Sequence, residues 1–453
     1  MQAEPMAALA ETSLGRTLRA RHVTMITIGG IIGAGLFVGS STSIATIGPA
    51  AIVSYGLAGL VILCVMRMLS ELAAAHPGTG AFTEFARLAF GNWAGFTSGW
   101  LYWYFWVIVV PIEAIAGGGI LHQWIALPIW ALALALLAVM TAVNLLSARS
   151  FGEFEFWFSS IKVAAIVAFI AIAGGYTLGL GAPAGAGGLS NLTAHDGFAP
   201  FGPLSVIAGV TSVIFAFVGA EIVTIAACES AEPALSIARL TSSVAIRILL
   251  FYMLSIFLIV CVVPWQSVQP GLSPFSLALG VIGIPHAKTI MDLVVLTAVL
   301  SCLNSGLYVT SRVLFGLAEK GDAPRWLVAL NGRRVPARAI LAGAAFGYAA
   351  VGVSVLSPTG VFSFLVSASG AIALFNYLLV ALAQIRLRRA ARTPLPIRMW
   401  FFPYASWAVA GVIVAVLVAM AATPALRPDF LCSLAALGIV LALFAVFRRA
   451  PAA

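Results

Sequence analysis

The sequence predicts an all-α membrane protein with twelve spanning helices. Three observations carry that expectation. Of 453 residues, 62% are apolar and only 9% charged, whereas a soluble domain is about one-quarter charged. Apolar runs of roughly 20 residues, the length that crosses a hydrocarbon core, recur from end to end. Lysine and arginine crowd into alternate loops, as expected of an oriented multi-pass chain. A transmembrane barrel would show short alternating segments instead.

The first span is expected at about Val23 to Ile47, after the basic residues Arg16, Arg19 and Arg21. The second runs from about Pro49 to Ala75 and is followed by "GTGAFTEFARLAFGN", an amphipathic and re-entrant-looking segment. The third, about Trp93 to Leu121, opens on "GWLYWYFWVIVV", which reads as an interfacial aromatic belt and packing surface rather than a binding box. The fourth and fifth follow at about Pro128 to Leu146 and Glu153 to Gly174. After the glycine-rich stretch "LGLGAPAGAGGLSNLTAHDGFAPFG", the sixth is expected at Pro203 to Ser230, the seventh at Arg239 to Val263 and the eighth at His286 to Leu317. The ninth and tenth lie at about Ala337 to Leu356 and Gly360 to Ile385, and the last two at Phe402 to Ala422 and Phe430 to Phe447.

The basic loops fix an orientation. Arg149, then Lys320, Arg325, Arg333, Arg334 and Arg338, then Arg386, Arg388, Arg389, Arg392 and Arg398 all fall on one side, as do Arg448 and Arg449. Lys288 and Arg427 are the exceptions. The positive-inside rule puts that side, and both termini, in the cytoplasm. The chain then divides into a cytoplasmic tail (1–21), a first five-span half (22–180), an extracellular loop (181–202), a second five-span half (203–385), a basic cytoplasmic loop (386–401), two further spans (402–448) and a short cytoplasmic tail (449–453).

The net charge of +9 sits in these short loops, so it speaks for orientation and not for nucleic acid. Residues 1–20 have no apolar core of the kind a cleavable signal needs. Cys64, Cys228, Cys261, Cys302 and Cys432 all lie within apolar runs, without a spacing that suggests metal or a disulfide framework. "NLT" at Asn191 matches a glycosylation sequon by three residues alone. No HExxH, paired-aspartate or nucleophile motif points to an enzyme, and no cofactor is expected.

"TIGGIIGAGLFVG" places Gly29, Gly30, Gly33, Gly35 and Gly39 inside the first span. Each costs about 1 kcal/mol relative to alanine in a helix interior. The sixth span, "VIAGVTSVIFAFVGAEIVTIAA", repeats the anomaly with Gly209, Gly219 and an acidic Glu221. The opening helix of each half is thus weakened near its middle. That pairing points to an inverted-repeat transporter with broken helices at a mid-membrane site. Irregular backbone at that depth is tolerated where it lines a cavity or is buried in protein. A break in the first span would free the amides of Ala34, Gly35 and Leu36, which suit a carboxylate. A break in the sixth would free carbonyls near Phe215, Ala216 and Val218, which suit an ammonium. Spacings such as Gly29 to Gly33 also serve close helix packing, and the second interruption is what favours a break.

Charges within apolar runs cost on the order of 2.5 to 3.5 kcal/mol and are functional candidates by default. Four stand out: Glu113, Lys162, Glu221 and Asp292, the last near a helix end and so interfacial. Lys162 beside a broken helix could neutralise exposed carbonyls, as sodium does elsewhere, and could load and release a proton. Alternatively its ammonium snorkels to the interface; it follows Glu153 by nine residues, about 13 Å at helical rise. Glu113 could line the pocket, relay protons or form a structural ion pair. Glu221 could hold the freed backbone of the first span and, with Lys162, take part in proton coupling. Phe215, at the proposed break, reads either as a gate or as a core residue. Cys302 in "LSCLNSGLY" reads either as facing the pathway, with Ser301 and Asn304, or as buried and inert.

"GGIIGAGLFVGS", "FGEFEFWFSSIKV" and "FVGAEIVTIAACES" resemble the amino acid transporter family of the amino acid–polyamine–organocation superfamily, over nearly the whole chain. "RHVTM", "GWLYWYFWV", "IPHAKTIMD", "SCLNSGLY" and "SGAIALFNYL" are most similar to the branch that imports 4-aminobutyrate (GABA). The resemblance implies a LeuT-type fold: a 5+5 inverted repeat plus two helices, with helices 1 and 6 discontinuous. It also implies proton-coupled import across the bacterial inner membrane. Carried over by position, the substrate carboxylate meets the backbone around Ile31, Gly33, Ala34 and Gly35, and the amine meets carbonyls around Phe215, Ala216 and Val218. Lys162 matches the lysine that replaces sodium in proton-coupled relatives, and Glu113 an acidic position near the substrate. Ala34 stands where some superfamily members have serine, so a hydroxyl contact is lost while the amide remains. The expected partners are therefore GABA or a related small amino acid, a proton and the bilayer. The alternatives are a general α-amino acid permease and an amino acid sensor on the same scaffold.

Overall fold

A computed structural model describes residues 20–33, 35–76, 82–180, 188–226, 234–369, 371–391, 394–424 and 426–447. Among these the regular elements are all helical. In chain order the α-helices are α1 (Ala20–Ile31), α2 (Ser40–Ile47), α3 (Ala51–Ala75), α4 (Thr83–Phe90), α5 (Asn92–Leu121) and α6 (Ile129–Leu146). Then come α7 (Ala148–Thr177), α8 (Pro203–Ile214), α9 (Ile222–Ala226), α10 (Ala234–Val262), α11 (Pro274–Ile282) and α12 (Ala287–Glu319). The remainder are α13 (Ala337–Val353), α14 (Pro358–Ser369), α15 (Ile372–Ala390), α16 (Tyr404–Ala422) and α17 (Arg427–Phe447).

Eight stretches of the described chain are long and apolar enough to cross a membrane, the first spanning Arg21–Ala75 with the interruptions described below. This is a multi-pass helical membrane protein. Its outward surface is correspondingly apolar: Leu431, Leu434, Ile439, Leu443 and Val446 of α17 are all exposed. Exposure of that kind is stable only against lipid.

The core is held by long-range packing of α5 on α12, α3 on α10, and α1 on α7. Tyr55, Phe217 and Tyr252 form a ring cluster where α3, the sixth-span turn and α10 meet. On the other side of the first span, Phe37 and Phe169 both pack on Phe275 of α11. Toward the opposite end, buried Glu71 of α3 gathers Gln384 Nε2 at 2.8 Å, Arg388 at 2.7 Å and the Met399 amide. One carboxylate thereby fixes α3, α15 and the segment around Met399 to one another.

Three elements depart from the expected boundaries. The fifth span starts at Ala148 rather than near Glu153, because Ser147 caps it: its Oγ accepts from Ser150 N at 2.9 Å. The tenth span, expected as one helix, is two, α14 and α15, with Gly370 outside the described residues. The Ala371 N–H donates to Ser433 Oγ at 3.0 Å, so a neighbouring helix takes the place of the i−4 carbonyl. The loop before the eighth span holds a helix, α11, that hydropathy did not reveal. Its signals are local: Ser273 at the N-cap, Pro274 in the first turn and left-handed Gly283 at φ 89° after the last.

Candidate functional site

The first span loses its hydrogen-bond ladder where its glycines cluster. α1 ends at Ile31, and helical backbone resumes as a π-turn, Gly35–Gly39, that runs into α2. In an unbroken helix Gly29 O would accept from Gly33 N. Here Gly33 N turns to Ile31 O at 3.0 Å. The Lys162 ammonium takes Gly29 O at 2.7 Å and Ile32 O at 2.8 Å, and its third donor goes to Ser301 Oγ at 2.8 Å. Lys162 is fully buried, so it does not snorkel.

The sixth span breaks as well. α8 ends at Ile214, Phe215–Phe217 form a 3₁₀ turn, and α9 begins only at Ile222. The Tyr252 hydroxyl, from α10, lies 3.0 Å from both Ile31 O and Ala216 O and shares its proton between them. One side chain thus serves a freed carbonyl from each broken helix. The Ala216 carbonyl is therefore not bare, as the sequence suggested, though an oxygen with two lone pairs retains one.

Among the described residues Glu221 does not hold the backbone of the first span, contrary to expectation. Its carboxylate accepts from Gly219 N at 3.1 Å in its own span, from Tyr102 at 3.0 Å and from Tyr377 at 2.7 Å. Gly219 sits between the 3₁₀ turn and α9 with φ 114°, a conformation open to glycine, and its amide meets the carboxylate two residues on.

Between the two breaks lies a cavity of about 50 Å³, room for roughly four waters. Ile31, Gly33 and Gly35 line it from the first span, Ala216 and Val218 from the sixth, Glu113 from α5 and Cys302 from α12. Ala34 falls outside the described residues. Phe215 heads the 3₁₀ turn, and its side chain also lies outside them. Glu113 is almost fully buried, and its Oε2 has no hydrogen-bond partner among the described residues. Cys302 Sγ and Glu113 Oε1 both lie within 4 Å of where a Cβ on Gly33 would stand, so Cys302 does face the cavity. Asp292 pairs with Lys288 at 2.9 Å near the start of α12, away from this cavity, as an interfacial group should.

Sequence reasoning missed four parts of this region. Phe105, Trp106 and Val109 line the cavity, although the aromatic run of the third span was read as belt and packing. Their spacing with Glu113 puts them on one helical face, and that was the available signal. Tyr252 had no local signal. Tyr102 and Tyr377 likewise show their role only through Glu221. Glu155 is fully buried and joins Lys162 through Ser301 Oγ, which contacts Glu155 Oε1. Its separation of seven residues from Lys162 in "FGEFEFWFSSIKV" puts both on one face of α7. No group of three or more potential metal ligands occurs among the described residues.

With this geometry in view, the likeness to known proteins is informative. The family described as amino acid permease matches residues 22–449. The chain is 48% identical over 444 residues to the gamma-aminobutyric acid permease of Bacillus subtilis (strain 168), covering 97% of this chain and 95% of that one. It is 45% identical to the gamma-aminobutyric acid permease of Escherichia coli (strain K12), covering 94% and 93%. The aromatic amino acid transport protein AroP of Corynebacterium glutamicum is 38% identical, with 86% of each chain covered.

Proposed function

The chain belongs to the amino acid permease family, a family of transporters rather than enzymes, and on that premise we propose that it imports 4-aminobutyrate together with protons. The observation that carries the reading is the cavity between two interrupted spans, lined by residues of both and by a carboxylate, Glu113, one of whose oxygens has no hydrogen-bond partner among the described residues. Relatives at 45–48% identity named for gamma-aminobutyric acid supply the substrate.

The fold is of the LeuT type, with twelve spans in a 5+5 inverted repeat plus two. Arg21–Ala75 counts as two spans turning at Gly48–Ala50, which with the other seven long stretches makes nine. The shorter α13 and the interrupted pairs α8–α9 and α14–α15 bring the total to twelve. The divisions are 22–180 and 203–385 for the two halves, 402–448 for the last two spans, and 181–202 and 386–401 for the loops between. Basic residues put both termini in the cytoplasm of a bacterial inner membrane.

In this reading the substrate carboxylate meets amides at Ile31 to Gly35, at the positive start of the second half of the first span. The ammonium meets Glu113 and the carbonyls near Phe215, Ala216 and Val218. Gly33 and Cys302 set the width of the site. A cavity of this size, with Phe105 and Trp106 in its wall, suits an aliphatic chain of a few methylenes. Lys162 carries the coupling proton. When protonated it satisfies Gly29 O and Ile32 O; when neutral it releases them and loosens the first span. Glu221 ties the sixth span to Tyr102 and Tyr377, so a change in its protonation would reach α5 and α15 directly.

The test is uptake of labelled GABA into liposomes holding the purified protein. Accumulation is expected with the outside acidic and none with the pH equal across the membrane. Competition by a panel of α- and ω-amino acids reads the substrate: equal competition by alanine and GABA would replace this reading with a general α-amino acid permease. Binding without flux would replace it with a sensor.

A further inference from the structure

Lys162 does not stand alone. Its ammonium has three donors and three acceptors: Gly29 O, Ile32 O and Ser301 Oγ. Since the ammonium can only donate, the Ser301 hydroxyl accepts at its oxygen and must point its own hydrogen elsewhere. That hydrogen goes to Glu155 Oε1. The second carboxylate oxygen takes Asn304 Nδ2 at 3.3 Å, and Asn304 Oδ1 in turn takes Asn144 Nδ2 at 2.9 Å. Ser159 Oγ adds a contact to Glu155 Oε1 at 3.2 Å. Every hydrogen on this line therefore has one direction, from ammonium through hydroxyl to carboxylate.

Glu155, Ser159, Lys162 and Ser301 are all fully buried. The first span makes room for the carboxylate with a glycine, since a Cβ on Gly29 would run into Glu155 Oε1 and Ser159 Oγ. Glu155 lies seven residues before Lys162 on α7, about 10 Å nearer the N-terminal end of that helix. The proposed orientation puts that end at the cytoplasm. The titratable groups nearest this line are Glu155 on the same helix, reached through Ser301, and Cys302 on α12 and Glu113 on α5, which line the cavity beside the break in the first span.

We propose that Glu155 is the acceptor through which Lys162 gives up its proton, with the Ser301 hydroxyl as the bridge. In the transfer an Nζ–H bond breaks as a proton reaches Ser301 Oγ, while the original Ser301 O–H proton passes to Glu155 Oε1. An ammonium and a carboxylate become an amine and a carboxylic acid. No net charge leaves the pair, so the step avoids exposing a lone buried charge. The neutral amine no longer holds Gly29 O and Ile32 O as an ammonium does, which releases the break in the first span. The protonated Glu155 is then the group that delivers the proton toward the cytoplasm.

The inference rests on the proton-coupled reading above, and the experiment separates the two. Wild type, Glu155→Gln, Ser301→Ala and Ser301→Thr are placed in liposomes and assayed with labelled GABA in two modes. One is accumulation under an acid-outside gradient; the other is exchange against internal unlabelled GABA at equal pH. Glu155→Gln and Ser301→Ala are expected to accumulate about a hundredfold more slowly while exchange persists. Ser301→Thr, which keeps the hydroxyl, is expected to restore accumulation. Gradient-dependent accumulation by wild type that Glu155→Gln or Ser301→Ala matches would overturn the relay alone. Accumulation by wild type without any gradient would remove the coupling reading, and the relay with it. If Glu155→Gln does not fold, the alanine–threonine pair at Ser301 decides the matter.

Discussion

Gly219 and Gly30 meet backbone to backbone: a Cβ on Gly219 would collide with the carbonyl of Gly30. The contact joins the break in the sixth span to the break in the first, and Gly219 also sits at φ 114°, where L side chains rarely go. Gly219→Ala therefore carries two penalties, a strained backbone of about 1–2 kcal/mol and the displacement of the first span. Thermal unfolding followed by size-exclusion chromatography should show a clear loss of stability, with uptake falling further than stability does. An alanine variant that unfolds and transports like wild type would mean the two breaks are not in contact.

Tyr252→Phe removes only a hydroxyl, yet that hydroxyl serves two buried carbonyls, Ile31 O and Ala216 O. Unsatisfied buried acceptors cost about 1–3 kcal/mol. The variant should melt several degrees lower with its ring packing on Tyr55 and Phe217 intact. Unchanged melting would show that water replaces the hydroxyl.

Lys162→Met should abolish accumulation of GABA and also destabilise the fold. It strips donors from Gly29 O and Ile32 O and strands Glu155 as a buried carboxylate. Breaking a buried pair costs about 3–5 kcal/mol. Adding Glu155→Gln to Lys162→Met should recover part of that loss, because the stranded charge goes. A double variant less stable than the single one would argue against a shared charge.

Gly33→Ala tests the width of the site. A Cβ there would stand 3.6 Å from Cys302 Sγ and 3.7 Å from Glu113 Oε1, ordinary contacts that leave the fold alone. The methyl group would instead fill cavity. KM for GABA should rise about tenfold while shorter ω-amino acids lose less, since one methylene is worth about 1–3 kcal/mol in such a pocket. Competition curves measure it, and parallel losses for all lengths would place the substrate elsewhere.

The wild-type pH response has a definite sign. If proton and substrate move inward together, as proposed, accumulation is expected to rise as the outer pH falls below the inner and to vanish when the two are equal. Reversing the gradient should drive preloaded GABA out. Measuring both directions in one liposome preparation checks the direction of coupling.

Much of the fold was legible in the sequence because crossing a membrane is a local requirement. Twenty apolar residues, a glycine cluster or a buried lysine can each be seen without knowing what packs nearby. Hence α5, α6 and α16 lie within two residues of their expected limits, the first span breaks within its glycine cluster, and the sixth breaks around Gly219, though Gly209 stays inside α8. Seven of the residues singled out for substrate, from Ile31 to Cys302, line one cavity. The split of α14 from α15 was not legible, since it depends on Ser433 of a different helix. Nor was the role of Glu221, whose partners Tyr102 and Tyr377 lie 119 and 156 residues away.

By itself, then, the sequence determined a multi-pass helical protein, where its spans lie, and which spans are too weak to remain continuous. Those follow from transfer energies and helix propensities that act within a few turns. Only the tertiary structure decided what fills the broken ladders. Lys162 and Tyr252 reach the freed carbonyls from other helices, and Ser301 carries the lysine on to Glu155. A hydrogen bond needs its partners about 3 Å apart, and for residues more than a hundred positions apart in the chain only packing brings them that close.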